Sequence, residues 1–266
     1  MLGVILQASI SSLWFELRRS FSGQRMAIAF VLAMFPPFIM FMVFRTVGAD
    51  GYSLAELLMA IMLWIVGLLS LILWLPPGIY SELEGQTWIL STSRPYGRVS
   101  LVLGKYGAAG IWTLIVLAIS YMVTWSVCLT LLGLDLGEFA WGFFQLSILA
   151  ALAYGAVFSL LSVVALKRAM GFAVGYVLVS EVLLASVPAV VQKFTVRYHL
   201  QSIGLATISD FGLERINDEQ FVNNIILHEP LPLWGNYASL MVGSLIIVLV
   251  TLAIVNWRQL ITVHEN

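Results

Sequence analysis

Long apolar runs without charged residues constrain this chain more than any other feature of its sequence. A bilayer core is about 30 Å thick and a helix rises about 1.5 Å per residue, so a crossing helix needs about 20 apolar residues. Charged residues make up only 10% of the chain and the mean hydropathy is +0.97, whereas about a quarter of a soluble domain is charged. The sequence therefore predicts an all-α integral membrane protein.

Six runs of this kind are present, and we expect six transmembrane helices joined by short charged connections. Their predicted ranges are 26–44, 57–79, 107–132, 139–166, 169–191 and 236–257. Barrel strands would show segments of about ten alternating residues, and the sequence has none. The single Cys128 lies in the third predicted span and excludes an intrachain disulfide. We expect no cleaved signal peptide, because Glu16, Arg18 and Arg19 precede the first long apolar run.

The distribution of Lys and Arg predicts the orientation, because these residues accumulate in cytoplasmic loops. Six spans put both termini on the same side. The Lys and Arg residues on that side are Arg18, Arg19, Arg25, Arg94, Arg98, Lys105, Lys167, Arg168 and Arg258, and those on the other are Arg45, Lys193, Arg197 and Arg215. We therefore expect both termini in the cytoplasm, with a short cytoplasmic tail over 258–266.

The segment 1–25, before the first span, has the pattern of an amphipathic helix. Apolar Ile10, Leu13, Trp14, Leu17 and Phe21 recur at spacings of three and four, and Ser12, Glu16 and Arg19 lie on the opposite face. Such a helix is expected to lie along the inner membrane surface. It serves either as a simple anchor for the first span or as a grip for a partner.

The transmembrane domain is expected over 26–257, and its longest outer segment runs from 192 to 235. Loops of this length without regular structure are uncommon, so short helices are expected to pack over the outer mouth of the spans. The segment also offers a surface for an outer-side protein. His199 and His228 lack the spacing of a ligand pair, and we expect no metal site.

The cytoplasmic stretch 81–106 concentrates charge between two apolar spans. Its GRVSLVLGK sequence does not fit a phosphate-binding loop, which requires glycine where Val99 stands and Ser or Thr where Tyr106 stands. No arrangement of nucleophile and base in the aqueous segments indicates hydrolysis. We expect this chain not to be an enzyme, to hold no cofactor and to bind no nucleic acid.

The same stretch resembles the cytoplasmic loop between the second and third spans of ABC-2 type transporter permeases. The matching residues are Glu82, Glu84, Gly85 and Thr87, then SRPYGR at Ser93–Arg98, then LGKY at Leu103–Tyr106. The resemblance implies a type V exporter-like fold and a homodimer in the inner membrane of a prokaryote. It also implies a separate ATP-binding subunit that carries ATP and Mg²⁺.

A short helix from about 84 to 92 would project Trp88, Ile89 and Leu90 beyond the membrane, where they need a covering partner. The resemblance implies that this is the coupling helix, inserted into a cleft of the ATP-binding subunit. The predicted partner-binding residues are Glu82, Glu84, Gly85, Thr87, Trp88, Ile89, Leu90, Arg94 and Arg98. We expect Arg94, Arg98 and Lys105 to pair with acids of the partner or with anionic lipids. The alternative is an ordinary positively charged loop.

Glu181, in the fifth predicted span, is the one acid placed inside the hydrocarbon, and Tyr176 and Ser180 are its near donors. Intramembrane acids usually face the protein interior and have a partner. Glu181 either holds span five to another helix or lines a central transport pathway.

Three functions remain open at this point. The first is an ABC export permease, and the second is a permease-like module that transmits ATP-driven motion to an outer assembly, as in nitrous oxide reductase copper-site assembly. The third is a proton-coupled secondary transporter using Glu181. The apolar spans suit a lipid-like substrate, but lipid-facing surfaces share that composition, so no substrate is selected.

Overall fold

The fold was obtained as a computed structural model, which describes residues 2–47, 58, 60–78, 82, 96–133, 135–184, 190–209 and 232–257. Within these ranges the chain is helical almost throughout and forms no strand. The helices are α1 Leu2–Arg19, α2 Gly23–Val47, α3 Leu68–Trp74, α4 Gly97–Val127, α5 Ala140–Val164, α6 Ala169–Tyr176, α7 Val196–Ser209 and α8 Leu233–Trp257. Wider π-helical turns precede α3 at Ala60–Gly67 and extend α4 over Cys128–Leu132 and α6 over Val177–Leu184.

Five helices in the described part of the chain are long and apolar enough to cross a membrane. They span Gly23–Val43, Ile61–Gly78, Gly97–Leu131, Ala140–Val164 and Leu233–Trp257. The all-α membrane class follows from these helices. The fifth predicted span, 169–191, does not reach this length, because its described helix consists of two stretches of 8 residues each and residues 185–189 lie outside the described ranges.

Helix α4 is the centre of the bundle and packs against α1, α2, α3, α5 and α8. The interior is formed mainly by the span Ile61–Gly78, which includes α3, and by α5, each 67% buried across its membrane-spanning window, whereas the corresponding window of α8 is 17% buried. The largest fully buried side chains include Met62, Leu71, Tyr154 and Phe158. Because α8 shows most of its apolar surface to the outside, that surface requires lipid or another protein around it.

A small buried cluster defines one end of the bundle. It consists of Leu101 and Val102 from α4, Val163 from α5 and Val255 from α8. The start of α4 therefore lies beside the ends of α5 and α8. At this end, Arg98 Nη1 also lies 3.4 Å from the backbone oxygen of Asn256, in the last turn of α8. A cation beside the carbonyls that end a helix is favourably placed.

The third predicted span begins ten residues too late. We expected 107–132, but α4 begins at Gly97, directly after Tyr96, whose φ of 61° is left-handed. The expected start excluded Arg98 and Lys105 because charge interrupts an apolar run. The helix accommodates Lys105 because acids from elsewhere in the chain neutralise it, as described below.

The connection between α4 and α5 is short and fixed by one carboxylate. Asp135 Oδ1 accepts hydrogen bonds from the backbone N–H of Gly137 at 2.8 Å and from Trp125 Nε1 at 2.9 Å. These two bonds, the backbone one first, hold the pKa of the Asp135 carboxyl below its ordinary value. The bonds favour the charged form because both donate to the ionised carboxylate.

Candidate functional site

Two groups of polar side chains lie within the apolar bundle, and each contains one of the predicted site residues. The first surrounds Glu82, at the start of the predicted coupling segment. The second surrounds Glu181. Of the other predicted partner-binding residues, Arg98 is described, whereas Glu84, Gly85, Thr87, Trp88, Ile89, Leu90 and Arg94 lie outside the described ranges.

The first group is an ion-pair cluster of three buried residues, Glu16, Glu82 and Lys105, and the exposed Arg19. Lys105 Nζ lies 2.8 Å from Glu16 Oε1 and 3.2 Å from Glu82 Oε1, and Arg19 forms a further ion pair with Glu82. Glu82 is 3% exposed and Lys105 is 5% exposed. Charges this deeply buried are tolerated when opposite charges neutralise them. Here two acids meet two bases, so the cluster is neutral.

This cluster changes the expected role of Lys105. We expected Lys105 to pair with acids of a partner or with lipid head groups. The structure corrects this, because its ammonium group is buried and paired within the chain. The carboxylate of Glu82 is likewise engaged by Arg19 and Lys105. The cluster therefore joins α1 and α4 to Glu82, the residue that opens the predicted coupling segment.

Glycines allow α1 to approach α4 closely. A Cβ at Gly104 would lie 2.8 Å from the Cβ of Ser12 and 3.0 Å from the backbone nitrogen of Leu13. A Cβ at Gly107 would lie 2.7 Å from Leu13 Cδ1. Small residues at helix contacts let two backbones pack closely where no water is present. The seam between α1 and α4 therefore depends on the absence of side chains at these positions.

The orientation of α1 follows from the same contacts. Its predicted polar face packs on the protein, with Glu16 buried and Ser12 against Gly104. On the predicted apolar face, Ile10 and Trp14 are exposed. The amphipathic pattern is confirmed as a helix, but its two faces are not separated as predicted. Polar Ser12 and Glu16 turn towards the bundle, and apolar Ile10 and Trp14 turn outward. Leu13 and Leu17 of the apolar face still pack on the bundle. This is the arrangement expected for a helix whose outer surroundings are lipid.

The residue after Lys105 makes the next contact. The Tyr106 hydroxyl donates to the backbone oxygen of Leu152 at 2.9 Å, and its ring lies against Gly155 of α5, where a Cβ would come within 2.9 Å of it. The predicted LGKY motif thus connects three neighbours. Gly104 contacts α1, Lys105 contacts the Glu82 carboxylate and Tyr106 contacts α5.

The second group surrounds Glu181, which is 3% exposed. Its Oε2 accepts hydrogen bonds from the Tyr154 hydroxyl at 2.9 Å and from the backbone N–H of Arg197 at 3.0 Å. Its Oε1 accepts one from the Tyr176 hydroxyl at 3.2 Å, and the Ser180 hydroxyl lies 3.5 Å away. Both predicted donors are therefore in contact with Glu181. Tyr154 and Arg197 were missed, because no local signal connects residues 27 and 16 positions away.

Arg197 attaches the predicted outer segment to the bundle. Its Nη1 donates to the backbone oxygen of Glu181 at 2.9 Å, and its guanidinium carbon lies 4.2 Å from the ring centre of Trp64. The carboxylate of Glu181 meets the first turn of α7, where backbone N–H groups are unpaired and negative charge is favourable. Glu181 and Arg197 therefore fasten the beginning of α7 to α6 and to the helix that contains Trp64.

His199 makes a third connection, between α7 and α8. Its Nδ1 lies 2.8 Å from Asn236 Oδ1 and its Nε2 lies 2.9 Å from the backbone oxygen of Lys193. Both ring nitrogens are thus occupied within the protein. His228 lies outside the described ranges, and among the residues that are described no three His, Cys, Asp or Glu side chains form a group able to hold a metal.

Comparison with known proteins gives no family assignment. No protein-family model and no curated protein matches the chain.

Proposed function

We propose that this chain is the transmembrane permease subunit of an ABC transporter of the ABC-2 type. It would couple ATP hydrolysis by a separate subunit to export across, or mechanical work at, the cytoplasmic membrane. The sequence resemblance at 82–106 suggests this function, and the observation that carries it is the ion-pair cluster of Glu16, Arg19, Glu82 and Lys105. ATP and Mg²⁺ would be held by the partner, and this chain would work as a homodimer.

The cluster supports the proposal because a coupling segment needs a stiff attachment. Glu82 opens the segment, and its carboxylate is held by Lys105 of α4 and Arg19 of α1. Separating buried opposite charges is strongly unfavourable. A displacement of the segment would therefore be passed to α1 and α4 together, and α4 packs against four further helices of the bundle. Glu82 acts in this proposal as the anchor of the segment.

The proposed six-span plan adds α6, in the fifth predicted span, to the five long apolar helices as a further crossing. The end of α5 lies beside the end of α8. Because α8 runs away from its start at Leu233, that start lies at the opposite end of the bundle, where His199 of α7 contacts Asn236. Helix α6 connects the first end to α7. Six crossings and an excess of Lys and Arg on one side support cytoplasmic termini.

The test is recovery of an ATP-binding subunit with the tagged chain from its native membranes. Trp88→Ala and Leu90→Glu should reduce this recovery at least tenfold, because buried interface anchors commonly contribute 2 kcal/mol or more. Trp141→Ala is the matched control, since Trp141 is an exposed tryptophan at the start of α5, at the other end of that helix from Val163, which lies beside the beginning of α4. Undiminished recovery with both loop variants would overturn the assigned role of the segment.

The secondary-transporter alternative receives no support from the surroundings of Glu181. A proton-carrying carboxylate must gain and lose its charge during the cycle. Tyr154, Tyr176 and the backbone of Arg197 all donate to Glu181. These bonds tie the group to three parts of the bundle, namely α5, α6 and the first turn of α7. The arrangement favours a fixed fastening of α7.

A further inference from the structure

A second polar feature lies beside the ion-pair cluster, and it is a cavity of about 100 Å³ between α1, α2, α3 and α4. Three cations and one acid line it, Arg19, Arg25, Lys105 and Glu16, together with the indole of Trp74 and the backbone at Gly78. The side chain of Arg19, which lines the cavity, is 44% exposed. The volume of the cavity suits a group of a few heavy atoms.

The charges around this cavity do not balance. Lys105 pairs with Glu16 and Glu82, and Arg19 pairs with Glu82. Arg25 forms no ion pair within the described part of the chain, and its guanidinium carbon lies 5.6 Å from the ring centre of Trp74. With Arg25 included, three cations face two carboxylates. An anion that entered the cavity would meet an excess positive charge.

The indole of Trp74 forms one wall of the cavity. Trp74 is 6% exposed, and its ring stacks on Trp112 at 5.3 Å, which fixes the indole in place. The guanidinium carbon of Arg25 lies 5.6 Å from the ring centre of Trp74, so the indole helps to position Arg25 at the cavity.

The position of the cavity along the helices matches the depth of lipid head groups. Arg25 stands near the start of the span Gly23–Val43, and Gly78 ends the span Ile61–Gly78. The cavity therefore lies where two membrane crossings meet the aqueous boundary. Basic pockets between helices at this level are suited to anionic lipid heads.

We propose that this cavity binds a phosphate group, with Arg25 as its main recognition residue. Arg25 supplies the charge that no acid of the described chain neutralises, and the Trp74 ring helps to position its guanidinium group. The phosphate belongs either to a phospholipid head group or to a free phosphate ion. This site is independent of the proposed ATPase coupling.

The test measures lipid binding to the purified chain in neutral detergent, by native mass spectrometry during titration with phosphatidylglycerol or phosphatidylcholine. Arg25→Gln should weaken phosphatidylglycerol binding about fivefold, which corresponds to about 1 kcal/mol for one cation near the headgroup layer. Arg18→Gln is the matched control, because Arg18 lies over Trp14 of α1 and does not line the cavity. It should leave binding unchanged.

A second variant separates the charge of Arg25 from its other contributions. Arg25→Lys keeps a positive charge, so it should retain most of the phosphatidylglycerol binding that Arg25→Gln loses, and both variants should keep the thermal unfolding temperature of the parent chain. Displacement of the lipid by inorganic phosphate would identify a free-ion site, and retention of the lipid would identify a headgroup site. Equal losses in Arg18→Gln and Arg25→Gln, or no loss in Arg25→Gln, would overturn the proposal.

Discussion

The substitution Gly104→Ala tests the seam between α1 and α4 most directly. The added Cβ would lie 3.0 Å from the backbone nitrogen of Leu13, and backbone atoms have no rotamer through which to move away. Ordinary contacts between such atoms are about 3.5–4.0 Å, so α1 must shift by about 0.5–1 Å. A shift of that size also lengthens the 2.8 Å ion pair between Glu16 and Lys105, the next residue along α4.

Two other glycines of α4 supply a graded comparison. At Gly107 the new Cβ would meet only the side chain of Leu13, whose end can rotate away, and at Gly110 it would meet nothing within 4 Å. All three substitutions gain about 1 kcal/mol of helix propensity, so that contribution cancels when they are compared. Overpacking a close contact costs about 1–3 kcal/mol. Gly104→Ala should therefore be less stable than Gly110→Ala by about 1–3 kcal/mol, with Gly107→Ala between them.

The assay is the free energy of unfolding of the three variants and the parent chain, measured by denaturant titration in detergent micelles. Gly110→Ala should equal or exceed the parent chain, and Gly104→Ala should fall below it. If Gly104→Ala proved as stable as Gly110→Ala, the close approach of the two backbones would be refuted. The stiff attachment assigned to α1 would then lose its structural basis.

Three further predictions concern charged groups. Lys105→Met leaves Glu16 and Glu82 without their shared cation, so it should reduce the free energy of unfolding by about 3–5 kcal/mol. Arg168→Met, at an exposed cation, is the control and should change it little. Glu181→Gln should keep the free energy of unfolding, because the amide oxygen of Gln can replace Oε2 while its NH₂ donates to the hydroxyl groups near Oε1. Glu181→Leu should lose about 1–3 kcal/mol of it. A Glu181→Gln variant that assembles but has no ATP-dependent function would contradict a fastening role. The pKa of Asp135 is lowered in the folded chain, so its stabilising bonds are present above the unfolded pKa and are lost as pH falls through the folded pKa. The indole N–H signal of Trp125, measured by NMR, should therefore titrate with a midpoint below the ordinary Asp pKa of about 3.9. A midpoint at or above that pKa would disprove this.

The positions of most membrane helices could be predicted from hydropathy alone. The expected spans 26–44, 139–166 and 236–257 agree within a few residues with Gly23–Val43, Ala140–Val164 and Leu233–Trp257. Apolar length is a local property of the sequence, and the bilayer fixes it physically. The helical pattern of the first segment was local in the same sense and was confirmed as α1.

The early start of α4 could not be predicted in this way. A prediction from the hydropathy of neighbouring residues treats Lys105 as a charge that interrupts an apolar run. Its partners Glu16 and Glu82 lie 89 and 23 positions away in sequence. Only the folded chain brings them together and removes the cost of burying the ammonium group. The same limit applies to Glu181, whose sequence neighbours were found and whose distant donor Tyr154 was not.

The residues Gly104, Lys105 and Tyr106 show why a short motif can hold several helices in register. Successive residues of a helix point about 100° apart, so three consecutive positions address three different directions. Here the first direction meets the backbone of α1, the second the carboxylates of Glu16 and Glu82, and the third the backbone of α5. The three contacts also differ in kind: Gly104 allows close packing because it has no side chain, Lys105 forms ion pairs, and Tyr106 forms a hydrogen bond. A rotation of α4 about its axis would disturb all three at once, so the beginning of α4 fixes α1, the base of the 82–96 segment and α5 relative to one another.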